Sequence, residues 1–239
     1  GILSMIGTLM LAYFGLHAAE IAMGAEGAAQ AMPVSLALSS LLAGQGPETL
    51  KSVAQVSWWL HAGVLLFFLN YLPYSKHMHI LAAIPNCFFK GLETPNTQPR
   101  EEFVEGNVYG AGSIDRFTWK DLFDSFSCTE CGRCEKSCPA ATTGKPLNPR
   151  LVMHDIKVNL LANGNLLKRG GEPAVPVIGD AEGSIKPDAL WSCTTCGACL
   201  AACPVFIEQM PKITKMRRHL VQMEADFPEE LLNLFENME

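Results

Sequence analysis

The chain has 239 residues, a formal charge of −6 and 49% hydrophobic residues. With 18 basic residues against 24 acidic ones and no basic cluster, it lacks the charge that binding a phosphate backbone requires, so a nucleic-acid partner is not expected. Apolar residues dominate as far as about residue 90, whereas the remainder carries nearly all the charge and eight of the nine cysteines. That unevenness predicts a membrane part over 1–90, a linker over 91–118 and a cysteine-bearing domain over 119–239.

The chain opens on Gly1 with no charged leader and no small-residue cleavage site, which fits a segment of a longer protein better than a signal peptide. Residues 2–19 contain no Asp, Glu, Lys or Arg, nor do residues 53–72, and each run is long enough to cross a bilayer core as a helix. The competing reading is a buried helix of a soluble protein. Trp58 and Trp59 at one end of the second run, with Tyr71 and Tyr74 at the other, form an aromatic belt that favours the membrane. Between the two runs, 34–42 is too short to span but suits an interfacial helix. Lys76, Lys90 and Arg100 follow the second run, whereas the loop before it has only Lys51, so the positive-inside bias places the cysteine domain on the cytoplasmic side of the membrane.

His61 and His79 lie 18 residues apart, five turns of a continuous helix. They would share a face, made approximate by a kink at Pro73, about 27 Å apart along the axis, too far for one metal but suited to two sites near opposite membrane surfaces. Axial ligation of b haem is one use of such residues; a satisfied buried His61 and an interfacial His79 are the other reading. The stretch Trp58-Trp59-Leu60-His61, continuing to Tyr71-Leu72-Pro73-Tyr74-Ser75-Lys76-His77-Met78-His79, resembles the last helix of the respiratory nitrate reductase gamma-subunit family. The resemblance implies that His61 and His79 ligate haem b. His77 faces away from His79 and reads as an interfacial or quinone-site residue, and His17 as a bundle residue or a haem or quinone contact.

Cys128, Cys131, Cys134 and Cys138 before Pro139 follow a C-x2-C-x2-C-x3-C-P pattern, and Cys193, Cys196, Cys199 and Cys203 before Pro204 repeat it. Three closely spaced thiolates can hold three corners of an iron–sulfur cube while the fourth cysteine reaches the other cluster. One [4Fe–4S] cluster is therefore expected on Cys128, Cys131, Cys134 and Cys203, and a second on Cys193, Cys196, Cys199 and Cys138. Disulfides do not suit the cytoplasmic face, and zinc does not need a duplicated three-plus-one arrangement. Cys87 reads as a small buried hydrophobe, and His154 and His219 as surface residues.

The 65 residues from Cys128 to Cys193 exceed what a compact bacterial ferredoxin provides, and apolar periodicity over 147–161 predicts an inserted helix. Residues 120–126 and 211–224 also read as helices, and 164–187 as a loop that could dock a partner. The fold class is mainly α: transmembrane helices followed by an alpha-helical ferredoxin domain. Phe126-Ser127-Cys128, Thr143-Gly144-Lys145-Pro146, Trp191-Ser192-Cys193 and Met216-Arg217-Arg218-His219 carry a resemblance to the heterodisulfide-reductase-related iron–sulfur oxidoreductases. The fused members of that family, in which a gamma-subunit-like cytochrome precedes the ferredoxin domain, include oxidoreductases linking electron-transfer flavoprotein to menaquinone. The resemblance implies two [4Fe–4S] clusters, one or two b haems, quinone as substrate and a soluble redox partner such as electron-transfer flavoprotein, with further subunits in the complex. A quinol-linked reductase running the other way, or a non-catalytic anchoring and wiring subunit, fits the same residues. No adjacent Cys-Cys pair occurs, so no residue is assigned to substrate chemistry.

Overall fold

The computed structural model describes residues 1–25, 27, 29–75, 77–92 and 102–237. Its regular structure is helical, and the extended pairing found among the described residues is an isolated bridge between Ile178 and Ile185. Two compact units result, Gly1–His77 and Met78–Glu239.

The first unit holds α1 (Ile2–Ala22), α2 (Pro33–Leu41) and α3 (Pro47–Tyr71). Proline at the first helical position starts α2 and α3, where its missing N–H costs no hydrogen bond. Small side chains let α1 pack closely: Ala12, Ala18 and Ala19 are buried, and a methyl group on Gly15 would come within 2.8 Å of Ser57 Oγ on α3. Ile2–Ala22 and Pro47–Tyr74 are each long and apolar enough to cross a membrane, with mean hydropathies of 1.6 and 1.5. Val56, Trp59, Leu66 and Phe67 of α3 point outward, an apolar surface that lipid or further helices must cover.

The second helical run does not continue to His79. After Tyr71 a 3₁₀ turn spans Leu72–Tyr74, and Ser75 is extended (φ −107°, ψ 172°). Pro73 has no N–H with which to prolong the ladder, and Ser75 Oγ accepts a hydrogen bond from the His77 N–H at 3.1 Å as the chain restarts. His61 and His79 therefore sit on separate helices, and the shared helical face expected from their spacing is absent. Lys76 and Arg100, which carry much of the charge bias, lie outside the described residues, as do 93–99 of the expected linker.

The second unit begins with α4 (Met78–Phe88), so residues 78–88 join the cysteine domain rather than the apolar unit. Two buried hydrogen bonds explain this: Ser127 Oγ donates to Ala82 O at 3.1 Å, and Asn86 Nδ2 to Val205 O at 2.9 Å. Then follow α5 (Trp119–Ser127), α6 (Arg133–Lys136), α7 (Pro139–Thr142) and α8 (Pro149–Lys168). The remaining helices are α9 (Pro187–Trp191), α10 (Ala198–Ala201), α11 (Gln209–His219) and α12 (Leu232–Glu236). A Thr118–Asp121 capping box opens α5, and Asn148 caps α8. Met153, Ile156, Leu190, Ile213 and Met216 centre the core.

The end of the expected linker is core, not tether: Ala111 and Ile114 are buried, and the Ala111 N–H donates to Lys215 O at 2.9 Å. Gly110 and Gly112 permit this approach, because a methyl group on either would overlap His219. His219 is accordingly packed, with Nδ1 3.3 Å from Tyr109 O and Nε2 3.2 Å from Glu224, rather than a free surface residue. The loop expected from residue 164 starts later, since α8 runs through Gly164 to Lys168. Two fully buried asparagines hold that loop: Asn159 Nδ2 donates to Val175, Pro176 and Gly183 carbonyls, and Asn163 Oδ1 accepts the Ala174 and Val175 N–H groups. Cys87 is half-buried on α4.

Candidate metal centres

The two cysteine motifs fold alike. Glu130 (φ 53°) and Thr195 (φ 54°) take the left-handed conformation just before the second cysteine of each motif, and Gly132 and Gly197 take it just after. A non-glycine residue there is uncommon and marks a constrained loop. The chain curls tightly around each triplet, then enters a single helical turn, α6 or α10, carrying Cys134 or Cys199.

The fourth cysteines cross over. Cys203 lines one open pocket with Cys128, Cys131 and Cys134, together with Val205, Ile207 and Gln209. Cys138 lies close enough to Cys193 and Cys199 to disfavour ionisation of both, and Cys196 adds to this at Cys193. Cys134 and Cys199 approach each other beside buried Met210, so the quartets adjoin. All nine cysteines are free thiols.

The thiols are arranged to need positive charge. Burial first, and neighbouring cysteines second, push Cys134 up to about 11 and Cys199 up to about 12. Burial also raises Cys128 and Cys193, although the Glu130 and Thr195 N–H groups oppose it, and Arg217 helps at Cys193. At exposed Cys131 the balance reverses, because the Arg133 N–H holds the thiol below its usual value. Further amides point at sulfur: Thr195 N–H donates to Cys193 Sγ at 3.4 Å and Ile207 N–H to Cys203 Sγ at 3.3 Å. Among the described residues no three His, Cys, Asp or Glu side chains converge as they would on one metal ion. Four thiols around a cavity, with amides aimed at their sulfurs, fit a cluster whose irons each take one thiolate.

A buried ionic network fixes this region. Lys212, fully buried on α11, donates to Asp124 Oδ2 at 2.5 Å and to Glu208 O at 2.9 Å, and lies 3.5 Å from Asp121. Lys120 pairs with Asp124 at 2.7 Å, and Lys215 with Asp121. Burial would raise the Asp121 carboxyl, but Lys212, Lys215 and Thr118 together hold it below its ordinary value. Arg217 donates to Leu190 and Cys193 carbonyls and stacks on Trp191, clamping the start of the second motif. Sequence reasoning missed Lys212 and Gln209, and it took Arg217 only as part of the Met216–His219 stretch that carries the family resemblance.

Of the histidines, His61 is half-buried in the first unit with Nδ1 3.2 Å from Leu9 O. A carbonyl there requires the proton on Nδ1, which leaves Nε2 with the lone pair a metal would take. His79 is half-buried on α4. His17 contacts Glu20 at 3.4 Å and the Tyr13 ring.

Residues 127–207 match the 4Fe-4S dicluster domain family. The chain is 34% identical to EtfAB:quinone oxidoreductase of Syntrophomonas wolfei, over 87% of this chain and 32% of that protein. It is 30% identical to the probable iron-sulfur-binding oxidoreductase FadF of Bacillus subtilis, over 94% and 36%. A probable membrane-anchored ferredoxin of Chromohalobacter salexigens is 37% identical over 51% of this chain and 20% of its own length. The chain thus spans about a third of the first two relatives. No solved structure matches it. The chain carries a 4Fe-4S dicluster domain and is similar over most of its length to the iron–sulfur oxidoreductases named EtfAB:quinone oxidoreductase and FadF.

Proposed function

We propose that this chain carries electrons between a cytoplasmic redox protein and the quinone pool, within a membrane-bound oxidoreductase that oxidises reduced electron-transfer flavoprotein. The observation that carries the reading is the crossed pair of thiol quartets in a chain whose preceding helices are long and apolar enough to span a membrane. Cys128, Cys131, Cys134 and Cys203 would hold one [4Fe–4S] cluster, and Cys193, Cys196, Cys199 and Cys138 the other. When bound, each cluster supplies one-electron storage at a potential set by burial and by hydrogen bonds to its sulfurs.

The residues around the sites divide the work. Cys131 and Cys196 are exposed and face an incoming partner, whereas Cys134 and Cys199 are buried where the quartets adjoin. The first quartet is the one bonded to α4: Ser127 precedes Cys128, and Val205 follows Cys203 by two residues. Because α4 also carries His79, the first quartet is the natural neighbour of the b haem that His79 would ligate, and His61 would ligate a second, separate b haem. The relative named EtfAB:quinone oxidoreductase supports the choice of flavoprotein and quinone.

The test is a reduced-minus-oxidised spectrum of the purified protein with its native partners, with quinone reduction by reduced electron-transfer flavoprotein as the functional readout. A b-haem band weakened in His61→Ala or His79→Ala, with flavoprotein-dependent quinone reduction, is expected. Absence of the band overturns the haem assignment, and failure of reduction overturns the flavoprotein–quinone reading.

A further inference from the structure

Gln209 is the first residue of α11, and its side chain is enclosed (1% exposed). It lines the cavity formed by Cys128, Cys131, Cys134 and Cys203, and its Oε1 has no hydrogen-bond partner among the described residues. Buried side-chain amides are normally bonded, so an orphaned one at the wall of a ligand site marks a group waiting for that ligand. The amide can turn by 180°, exchanging oxygen for NH₂, and its surroundings decide which way it faces. The four cysteine sulfurs line the same pocket, and a cluster there would add sulfides, so sulfur is an acceptor within the site.

The position equivalent to Gln209 at the second quartet has no side chain: the two motifs are offset by 65 residues, and the residue that many positions before Gln209 is Gly144. The second quartet has Arg217 instead, but that guanidinium donates to the Leu190 and Cys193 carbonyls.

Building on the two-cluster reading, we infer that Gln209 donates a side-chain N–H hydrogen bond to sulfur of the cluster held by Cys128, Cys131, Cys134 and Cys203, making the two clusters unequal. One-electron reduction adds negative charge to cluster sulfur, and a donor aimed at that sulfur favours the reduced state. The first cluster is therefore easier to reduce than it would be without Gln209.

The experiment is an EPR-monitored redox titration of the anaerobically purified protein, with dithionite as reductant, comparing the parent with Gln209→Leu and Gln209→Met. The expected result is a lower midpoint potential for one cluster, no change for the other, and unchanged iron and sulfide content. A parent with two clusters whose variants shift neither potential overturns the inference and leaves the cluster reading standing, whereas a parent without labile sulfide sinks the cluster reading itself. Should both variants lose iron, pulsed EPR of the parent labelled with ¹⁵N in glutamine side chains decides. Hyperfine coupling to that nitrogen, lost in Gln209→Glu, supports the bond; no coupling refutes it.

Discussion

Asp124 shows how the second unit holds its first motif in place. Its carboxylate is fully buried and accepts from Lys212 at 2.5 Å, Lys120 at 2.7 Å and the Glu208 N–H at 3.2 Å. The local network has three ammonium groups, on Lys120, Lys212 and Lys215, against two carboxylates, on Asp121 and Asp124. In Asp124→Leu a single carboxylate faces all three, and Lys212 stays buried with Asp121 3.5 Å away. Removing one partner of a buried pair costs about 3–5 kcal/mol. Lys212→Met instead leaves two charges of each sign, so the loss is nearer that of charged hydrogen bonds alone, about 1.5–3 kcal/mol. The double variant keeps the Lys215–Asp121 pair and removes the buried ammonium, so it recovers much of the Asp124→Leu loss. Urea unfolding followed by visible absorbance, with hydrogen exchange over α5 and α11, measures all three. Equal losses below about 1 kcal/mol in both single variants would refute the reasoning, because that is the scale of screened surface pairs.

Two further perturbations follow. In the cluster-free chain at neutral pH, iodoacetamide modifies exposed Cys131 well before Cys134 or Cys199, whose thiols stay protonated until the pH approaches about 11 and about 12; peptide mass mapping gives the order, and labelling rises with pH. Asn163→Leu leaves the Ala174 and Val175 N–H groups without their acceptor and Asn159 Oδ1 without its donor. It should cost about 2–3 kcal/mol and speed hydrogen exchange over 174–185 more than over α5.

Much of the grouping of the cysteines was legible because their spacing encodes a turn around each triplet. C-x2-C-x2-C forces a tight wrap, and the proline after the fourth cysteine redirects the chain, so the crossed quartets of Cys203 and Cys138 follow from local geometry. The helices of 120–126 and 147–161 were legible from apolar periodicity; α5 gains one residue at each end, starting at its Thr118 cap, whereas α8 starts two residues later than expected, at its Asn148 cap, and runs on to Lys168. What the sequence hid depends on distant partners. Pro73 reads as a kink, yet the helix restarts after Ser75 and α4 is held by Val205, 119 residues beyond Asn86. Asn159 and Asn163 look like weak helix formers, but their spacing of four puts both on the buried face of α8, where they organise a loop. Lys212 reads as a surface cation until α5 supplies its two carboxylates.

Metal and sulfide analysis of anaerobically purified protein decides whether both clusters are present. Crossed quartets each enclosing a cluster predict about eight irons and eight acid-labile sulfides per chain, falling in Cys203→Ala and in Cys138→Ala as each quartet loses its fourth ligand. Zinc in place of iron, or iron without labile sulfide, would contradict it.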